Sequence, residues 1–320
     1  MKILVTGSAG FIGMHLCKRL LADGHIVHGV DNFNDYYSVR LKRARQAQLA
    51  SHAHYSSDEV DISDLEALNA VFRRFQPEMV CNLAAQPGVR YSIDHPHVYA
   101  QSNLCGFLNI LEACRHHAVR RLVYASSSSV YGGNTKLPFA ETDPVDQPVS
   151  LYAATKKANE LMAHTYTHLY GLQTIGLRFF TVYGPWGRPD MAVWLFTRAM
   201  LAGHPIKVFN HGDMQRDFTY IDDIIAGVSA CLSSTDLEAY ELFNIGNNKP
   251  EQLMNLIRTL AEALGIEPKL EMHPMQPGDV PATYADISRI RSKLGFAPTT
   301  SIAKGLPAFV TWYRNHQELA

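Results

Sequence analysis

A tyrosine and a lysine four positions apart, Tyr152 and Lys156, follow a run of four serines, Ser126 to Ser129. On a helix that spacing makes the two side chains neighbours. A phenol, with an ordinary pKa of about 10, is a poor base at neutral pH, and an adjacent ammonium favours its phenolate. A hydroxyl from Ser127 or Ser129 could hydrogen-bond the same substrate oxygen. Together these groups could move a proton from an alcohol while a hydride leaves the same carbon. Tyr-x-x-x-Lys alone occurs on many solvated helices, so the reading rests on the serine run and on a glycine loop upstream.

Leu122-Val123-Tyr124-Ala125 predicts a buried strand that the serines continue, with Ser127 and Ser129 on one face. Gly132-Gly133 then turns the chain, a loop follows with Pro138, Pro144 and Pro148, and Ser150 is placed to cap a helix. Tyr152, Lys156 and Glu160 fall on one stripe of that helix.

The chain opens with Lys2-Ile3-Leu4-Val5-Thr6, a short buried strand leading into Gly7-x-x-Gly10-x-x-Gly13 and a helix with Leu16, Leu20 and Leu21. In such a unit Gly7 permits the tight turn, Gly10 lets backbone approach a pyrophosphate and Gly13 allows close helix packing, so Gly7, Gly10, Phe11, Ile12 and Gly13 are candidate nucleotide contacts. The next strand, Ile26 to Val30, ends in Asp31, followed by Asn32. An acid there accepts both ribose hydroxyls and repels a 2′-phosphate, which favours NAD over NADP. Arg40, Lys42, Arg43 and Arg45 keep NADP open, although a solvated helix face explains them more simply.

Asp61 and Ile62 are placed to meet an adenine edge, although a lone Asp there reads more simply as a cap for a helix over Ser63 to Phe75. A strand from Met79 ends in Leu83, Ala84 and Ala85, small enough for a cofactor to cross its end. Pro87, Gly88 and Arg90 lie in the following loop at the site mouth. Asn103 falls in a helix expected from Val98 to His116, whose stripe of Leu104, Phe107, Leu108 and Leu111 is either core or half of a dimer interface. After a strand over Thr174 to Phe180 the strand-helix alternation stops. A helix from Ala192 to Ala202, a strand over Ile206 to Phe209 with Val208, a helix from Asp222 and a strand at Phe243 to Gly246 returning to the large sheet complete the order. The expected division is 1–180, rejoined near 242–246, and 181–320.

A 320-residue chain that is 47% hydrophobic and carries a net charge of −1 has a globular composition and no general attraction for nucleic acid or anionic membranes. Its five cysteines form no Cys-x-x-Cys pair, which argues against disulfide and zinc frameworks and for a reducing, cytoplasmic setting. No leader is expected before the first strand, and no apolar run is expected to span a bilayer. His164 and His168, one turn apart, lack a third ligand and read as solvated, so no metal is expected.

These features resemble the extended short-chain dehydrogenase/reductase family, in particular its NAD-dependent nucleotide-sugar epimerases and dehydratases, over essentially the whole chain. Asp31 to Tyr37, Ser126 to Gly133 and Arg178 to Met191 resemble the UDP-glucuronate 4-epimerase branch. The resemblance implies an α/β fold, a Rossmann-like doubly wound parallel sheet with a smaller interleaved α/β substrate domain, acting as a homodimer in polysaccharide biosynthesis. It implies Tyr152 as base, Lys156 on the nicotinamide ribose, and Ser127 or Ser129 as the assisting hydroxyl. Ser126, Asn103, Phe179 and Val182 join the implied cofactor contacts. Ser128, Phe180, Thr181, Arg188, Val208, Phe209, Arg216, Gln276 and Asp279 join the implied substrate contacts, with Gln276 standing where galactose epimerases usually carry arginine. Related dehydratases and decarboxylases have Glu at the position of Ser129, so its absence argues for epimerisation alone. Arg188 matches an arginine expected near the sugar carboxylate; packing on Trp186 is the plainer alternative. A neutral UDP-hexose epimerase and a non-catalytic nucleotide-binding protein stay open as other readings.

Overall fold

A computed structural model describes residues 1–276 and 280–319; Asp279 lies outside them. Six strands alternate with helices at first: β1 (Lys2–Thr6), β2 (Ile26–Asp31), β3 (Tyr55–Glu59), β4 (Met79–Asn82), β5 (Arg121–Ser127) and β6 (Gln173–Phe179). The intervening helices are α1 (Phe11–Ala22), α2 (Val39–Ala50), α3 (Leu65–Phe75), the one-turn α4 (Tyr91–Asp94) and α5 (Pro96–Tyr99), α6 (Gly106–His116) and α7 (Leu151–Tyr170). Beyond β6 come β7 (Thr181–Tyr183), α8 (Ala192–Leu201), β8 (Ile206–Val208), β9 (Gln215–Tyr220), α9 (Ile221–Ser233) and β10 (Tyr240–Ile245). The remainder is β11 (Pro250–Gln252), α10 (Leu253–Leu264), β12 (Leu270–Met272), β13 (Ala282–Thr283), α11 (Ser288–Leu294) and α12 (Ile302–Asn315).

The main sheet has the order β10-β6-β5-β4-β1-β2-β3 and is parallel throughout. Its central strands read as apolar runs because helices cover both faces; Ile3, Leu4 and Val5 are fully buried. The strand order reverses between β1 and β4, and a crevice opens there at the carboxyl ends. As the sequence implied, β10 returns to this sheet, pairing with β6 through Phe243↔Leu177. The later strands form a smaller sheet, in which β9 pairs with β7, β11 and β13, and a separate β8–β12 pair.

Five local expectations change. β5 stops at Ser127, and Ser128–Tyr131 form a 3-10 turn, because the Ser127 hydroxyl accepts the Ser129 N–H at 3.1 Å and closes the chain early. The helix expected from Val98 begins instead at Pro96, a favoured first helical residue, and passes through a π-helical stretch at Ala100–Cys105 before α6. Asp64, not Asp61, caps α3, and the strand expected to reach Phe209 ends at Val208. The basic residues of α2 are only half solvated: Arg40 and Arg43 are exposed, but Lys42 and Arg45 are 5% and 0% exposed.

Behind the crevice, α7 is fixed to the sheet by a buried bidentate pair. Arg178 on β6 donates Nε and Nη2 to the two Glu160 oxygens at 2.8 and 2.9 Å, and Ser126 on β5 donates to Glu160 Oε1 at 2.6 Å. Removing one member of such a pair strands the other charge, at a cost of about 3–5 kcal/mol. Arg178→Met is therefore expected to lower unfolding stability by that order in urea titrations; a loss below about 1 kcal/mol would show that the pair does not anchor α7.

Candidate functional site

The β1–α1 turn is shaped by missing side chains. Gly7 has φ +67°, and a Cβ there would stand 2.8 Å from the Ala84 nitrogen; a Cβ on Gly13 would stand 2.0 Å from the Gly7 carbonyl oxygen. No side chain caps α1 at Gly10. Its first N–H groups and the positive end of its dipole thus face the crevice, an arrangement that accepts a phosphate. Asp31, at the end of β2, accepts the Ala9 N–H at 3.0 Å and the Phe33 N–H at 2.9 Å, which aims the carboxylate across the crevice. Burial raises its pKa, against those N–H bonds and nearby Lys42. Asp61 accepts the Asn32 amide at 2.8 Å, so the two expected contacts form one unit. The cradle and the carboxylate together fit a dinucleotide.

A single cleft of about 700 Å³ runs from this turn towards the smaller sheet. Its walls include Gly7, Gly10, Phe11, Ile12, Gly13, Asp31, Asn32, Asp61, Ile62, Leu83, Ala84, Ala85 and, further along, Ser126 to Ser129, Tyr152, Lys156, Phe179 and Val182. Pro87, Gly88, Arg90, Phe180, Thr181, Arg188 and Arg216 line the far part. Four expected contacts lie elsewhere. Asn103 is buried behind the wall, where its amide oxygen accepts the Gln86 N–H at 2.7 Å and its nitrogen donates to Thr155 at 3.1 Å; it holds the wall up. Phe209 stands behind Arg90, whose guanidinium is 5.6 Å from the ring centre, because the chain turns away after Val208. Val208 is buried in the apolar core, and Gln276 does not reach the described wall.

At the centre of the cleft Ser127 and Ser129 meet despite the early end of β5, their hydroxyl oxygens 3.1 Å apart. Ser150 caps α7 as expected, accepting the Ala153 N–H at 3.1 Å. Lys156 Nζ donates to the Ala125 carbonyl at 2.9 Å and lies 6.0 Å from the Tyr152 ring centre. Burial lowers the Lys156 pKa to about 8. Burial also raises that of Tyr152, against its hydrogen bond with Ser127 and the charge of Arg188. The ammonium is held on the sheet backbone, and the phenol edge packs against Tyr99 at 6.1 Å.

In the far part of the cleft Arg188 pairs with Asp190, Nε donating to Oδ1 at 3.0 Å, and the Tyr36 hydroxyl donates to the same carboxylate at 3.1 Å. The Trp186 ring instead packs on Trp312 and His316, so the plainer alternative of Arg188 stacking on Trp186 is not what forms. Asp190 and Tyr36 went unassigned in the sequence, although both sit in the runs that carried the resemblance. Arg216 donates to the Gln215 and Pro281 carbonyls at the cleft edge. Among the described residues no cluster of His, Cys, Asp and Glu suits a metal, and no helix is long and apolar enough to cross a membrane.

The model of the NAD dependent epimerase/dehydratase family matches residues 3–246. UDP-glucuronate 4-epimerase 4 of Arabidopsis thaliana is 48% identical over 98% of this chain and 75% of its own length. A crystal structure of UDP-glucuronic acid 4-epimerase from Bacillus cereus with UDP-glucuronic acid and NAD superposes with TM-score 0.93 at 34% identity, covering 98% of this chain and 99% of that one. A UDP-glucose 4-epimerase of Thermus thermophilus in complex with NAD gives 0.89 at 31% identity, over 99% and 100%. Matched along most of its length and carrying the glycine turn that such a cofactor needs, the chain belongs to the NAD dependent epimerase/dehydratase family.

Proposed function

We propose that this protein interconverts UDP-glucuronate and UDP-galacturonate by inverting C4. One observation carries the reading: a tyrosine, a lysine and paired serine hydroxyls share one cleft with a guanidinium at its sugar end. Relatives of high identity over nearly the whole chain support it.

In this reading Tyr152 as phenolate takes the C4 hydroxyl proton, while Ser127 or Ser129 holds that hydroxyl. NAD, when bound, would supply the acceptor for the C4 hydride and the donor for its return to the opposite face of the ring. Lys156, fixed by Ala125, places its charge beside the phenol and its remaining N–H groups towards a ribose. Asp31 receives the adenosine ribose, and Asn32 with Asp61 the adenine edge. Arg90 and Arg216 lie along the path of a pyrophosphate. The 4-keto sugar is a β-keto acid and loses CO2 if its carboxylate bond aligns with the carbonyl π system. Arg188 would hold the carboxylate out of that alignment through charge-assisted hydrogen bonds. No carboxylate stands at Ser127 to Ser129 to remove a C5 proton, which favours epimerisation alone. A neutral UDP-hexose substrate is the second reading, favoured by one fact: Asp190 already neutralises Arg188.

We also assign residues 1–180, with the strand near 242–246, to cofactor binding and 181–320 to the nucleotide sugar, and place the enzyme in the cytoplasm, supplying a polysaccharide. Leu108, Leu161 and Leu169 are 42%, 58% and 59% exposed on α6 and α7, an apolar face that two copies would cover together.

Proton NMR of UDP-glucuronate with purified protein and no added cofactor is expected to show the galacturonate anomeric signal. Tyr152→Phe should lose about 10²–10⁴-fold in rate, and Arg188→Ala should lose turnover and release CO2. Conversion of UDP-glucose but not UDP-glucuronate would replace the leading reading with the neutral one. Lys156 makes a separate, signed prediction. Its folded pKa of about 8 lies below the unfolded value, so the unfolded chain binds the extra proton between pH 8 and 10.5; protonated Lys156 costs stability fully below pH 8 and less as pH rises. Lys156→Met should raise the stability of NAD-free protein at pH 7 by up to about 3 kcal/mol, a gain that shrinks towards pH 10.5, while removing activity. A destabilised variant at pH 7 would refute this. Light scattering should give the mass of two chains, and Leu161→Glu should halve it; a wild-type monomer would refute the pairing.

A further inference from the structure

Arg45 is fully buried on α2, and every acceptor it meets is a neutral oxygen. Nε and Nη2 donate to the Trp186 carbonyl at 3.1 and 2.7 Å, and Nη2 also to the Gly187 carbonyl at 2.8 Å. Nη1 donates to the Tyr37 hydroxyl at 2.7 Å and to the Ala9 carbonyl at 3.3 Å. Its side chain does not line the cleft, so it is not an arginine waiting for a 2′-phosphate. Burying a guanidinium among neutral groups is unfavourable unless its hydrogen bonds are met, and an apolar residue of the same size would pack with less cost. Such a group is better explained by what it holds in place.

What it holds is strained. Trp186 has φ +63°, a left-handed conformation that a bulky residue keeps only when its surroundings over-determine it. His15 Nε2 lies 3.0 Å from the Pro185 carbonyl, so three consecutive carbonyls of the turn are gripped from the nucleotide side by α1 and α2. Arg188 follows directly. Asp190, its partner, is held from the same side by Tyr36. In the other direction Ala9, whose carbonyl Arg45 bonds, gives its N–H to Asp31. A continuous series of hydrogen bonds therefore joins the ribose-reading carboxylate to the turn that presents Arg188.

We propose that Arg45 is a positioning residue that sets Arg188 against the sugar carboxylate by fixing the Pro185–Gly187 turn, a role that rests on the assignment of UDP-glucuronate as substrate. Arg45 lies outside the cleft lining, so it acts on the site through the turn that carries Arg188.

A double-mutant cycle on the NAD-loaded enzyme tests it. Arg45→Met should lower kcat/KM for UDP-glucuronate by about tenfold or more and raise the share of turnovers that release CO2, with retained NAD and the calorimetric affinity for UDP-glucose unchanged. Arg45→Lys, which keeps the charge and part of the hydrogen bonding, should recover part of the loss. On an Arg188→Ala background Arg45→Met should add nothing. If Arg45→Met does not fold, His15→Ala carries the same cycle with a loss of about threefold. Losses that multiply across the cycle, or that fall equally on UDP-glucose affinity and NAD retention, would overturn the proposal while leaving the epimerase reading intact. A wild-type enzyme inert towards UDP-glucuronate would overturn both.

Discussion

The Glu160–Arg178 pair fixes the distance between the catalytic helix and the sheet, and most of the site follows from that distance. Its oxygens are shared among Arg178 on β6 and Ser126 on β5, and Arg178 reaches on to the Tyr131 hydroxyl at 3.0 Å. Tyr131 in turn donates to Asn244 on β10 at 2.6 Å. Three adjacent strands and the serine turn are thereby tied to one carboxylate on α7. Lys156 and Tyr152 lie one and two turns before Glu160 on the same stripe. The helix is thus anchored at its middle by Glu160, bonded to Ala125 one turn earlier through Lys156, and open to the cleft at its first turn, where the phenol stands.

Charge in this protein is arranged locally. The net charge of −1 gives no long-range pull on an anionic nucleotide sugar. Attraction comes instead from the uncapped start of α1 and from Arg90, Arg188 and Arg216 along the cleft. Asp190 moderates Arg188, so in the proposed reaction a substrate carboxylate would compete with an internal one already in bonding range. That competition would make the guanidinium a selective partner: it is spared burial without a counter-charge, and it would reward only a ligand that brings a better-placed carboxylate.

Several features here lower stability in return for geometry. Protonated Lys156 is buried, Trp186 is held left-handed, and Arg45 is sealed among carbonyls. All three surround the cleft, while the rest of the large sheet follows its local preferences closely. Departures of this sort gather where function needs a shape that packing alone would not choose.

The sequence by itself determined the parts whose signal is local. The strand, glycine turn and helix of residues 2–22, the Asp31 ending of β2, the Ser150 cap and the Tyr152–Lys156 spacing each depend on a few neighbouring residues, and backbone sterics and helix periodicity make them legible. The folded chain placed them in one cleft, as expected. Only the tertiary structure decided the contacts of Arg45, His15, Tyr36 and Asp190, because their partners lie far away in the chain and a basic residue on a helix looks solvated until another segment covers it. It also moved Asn103 behind the wall and turned Phe209 aside, since facing the cleft depends on how a π-helical stretch and a 3-10 turn rotate the chain. Periodicity predicts a face of an element; which neighbour that face meets is settled by the packing of the whole.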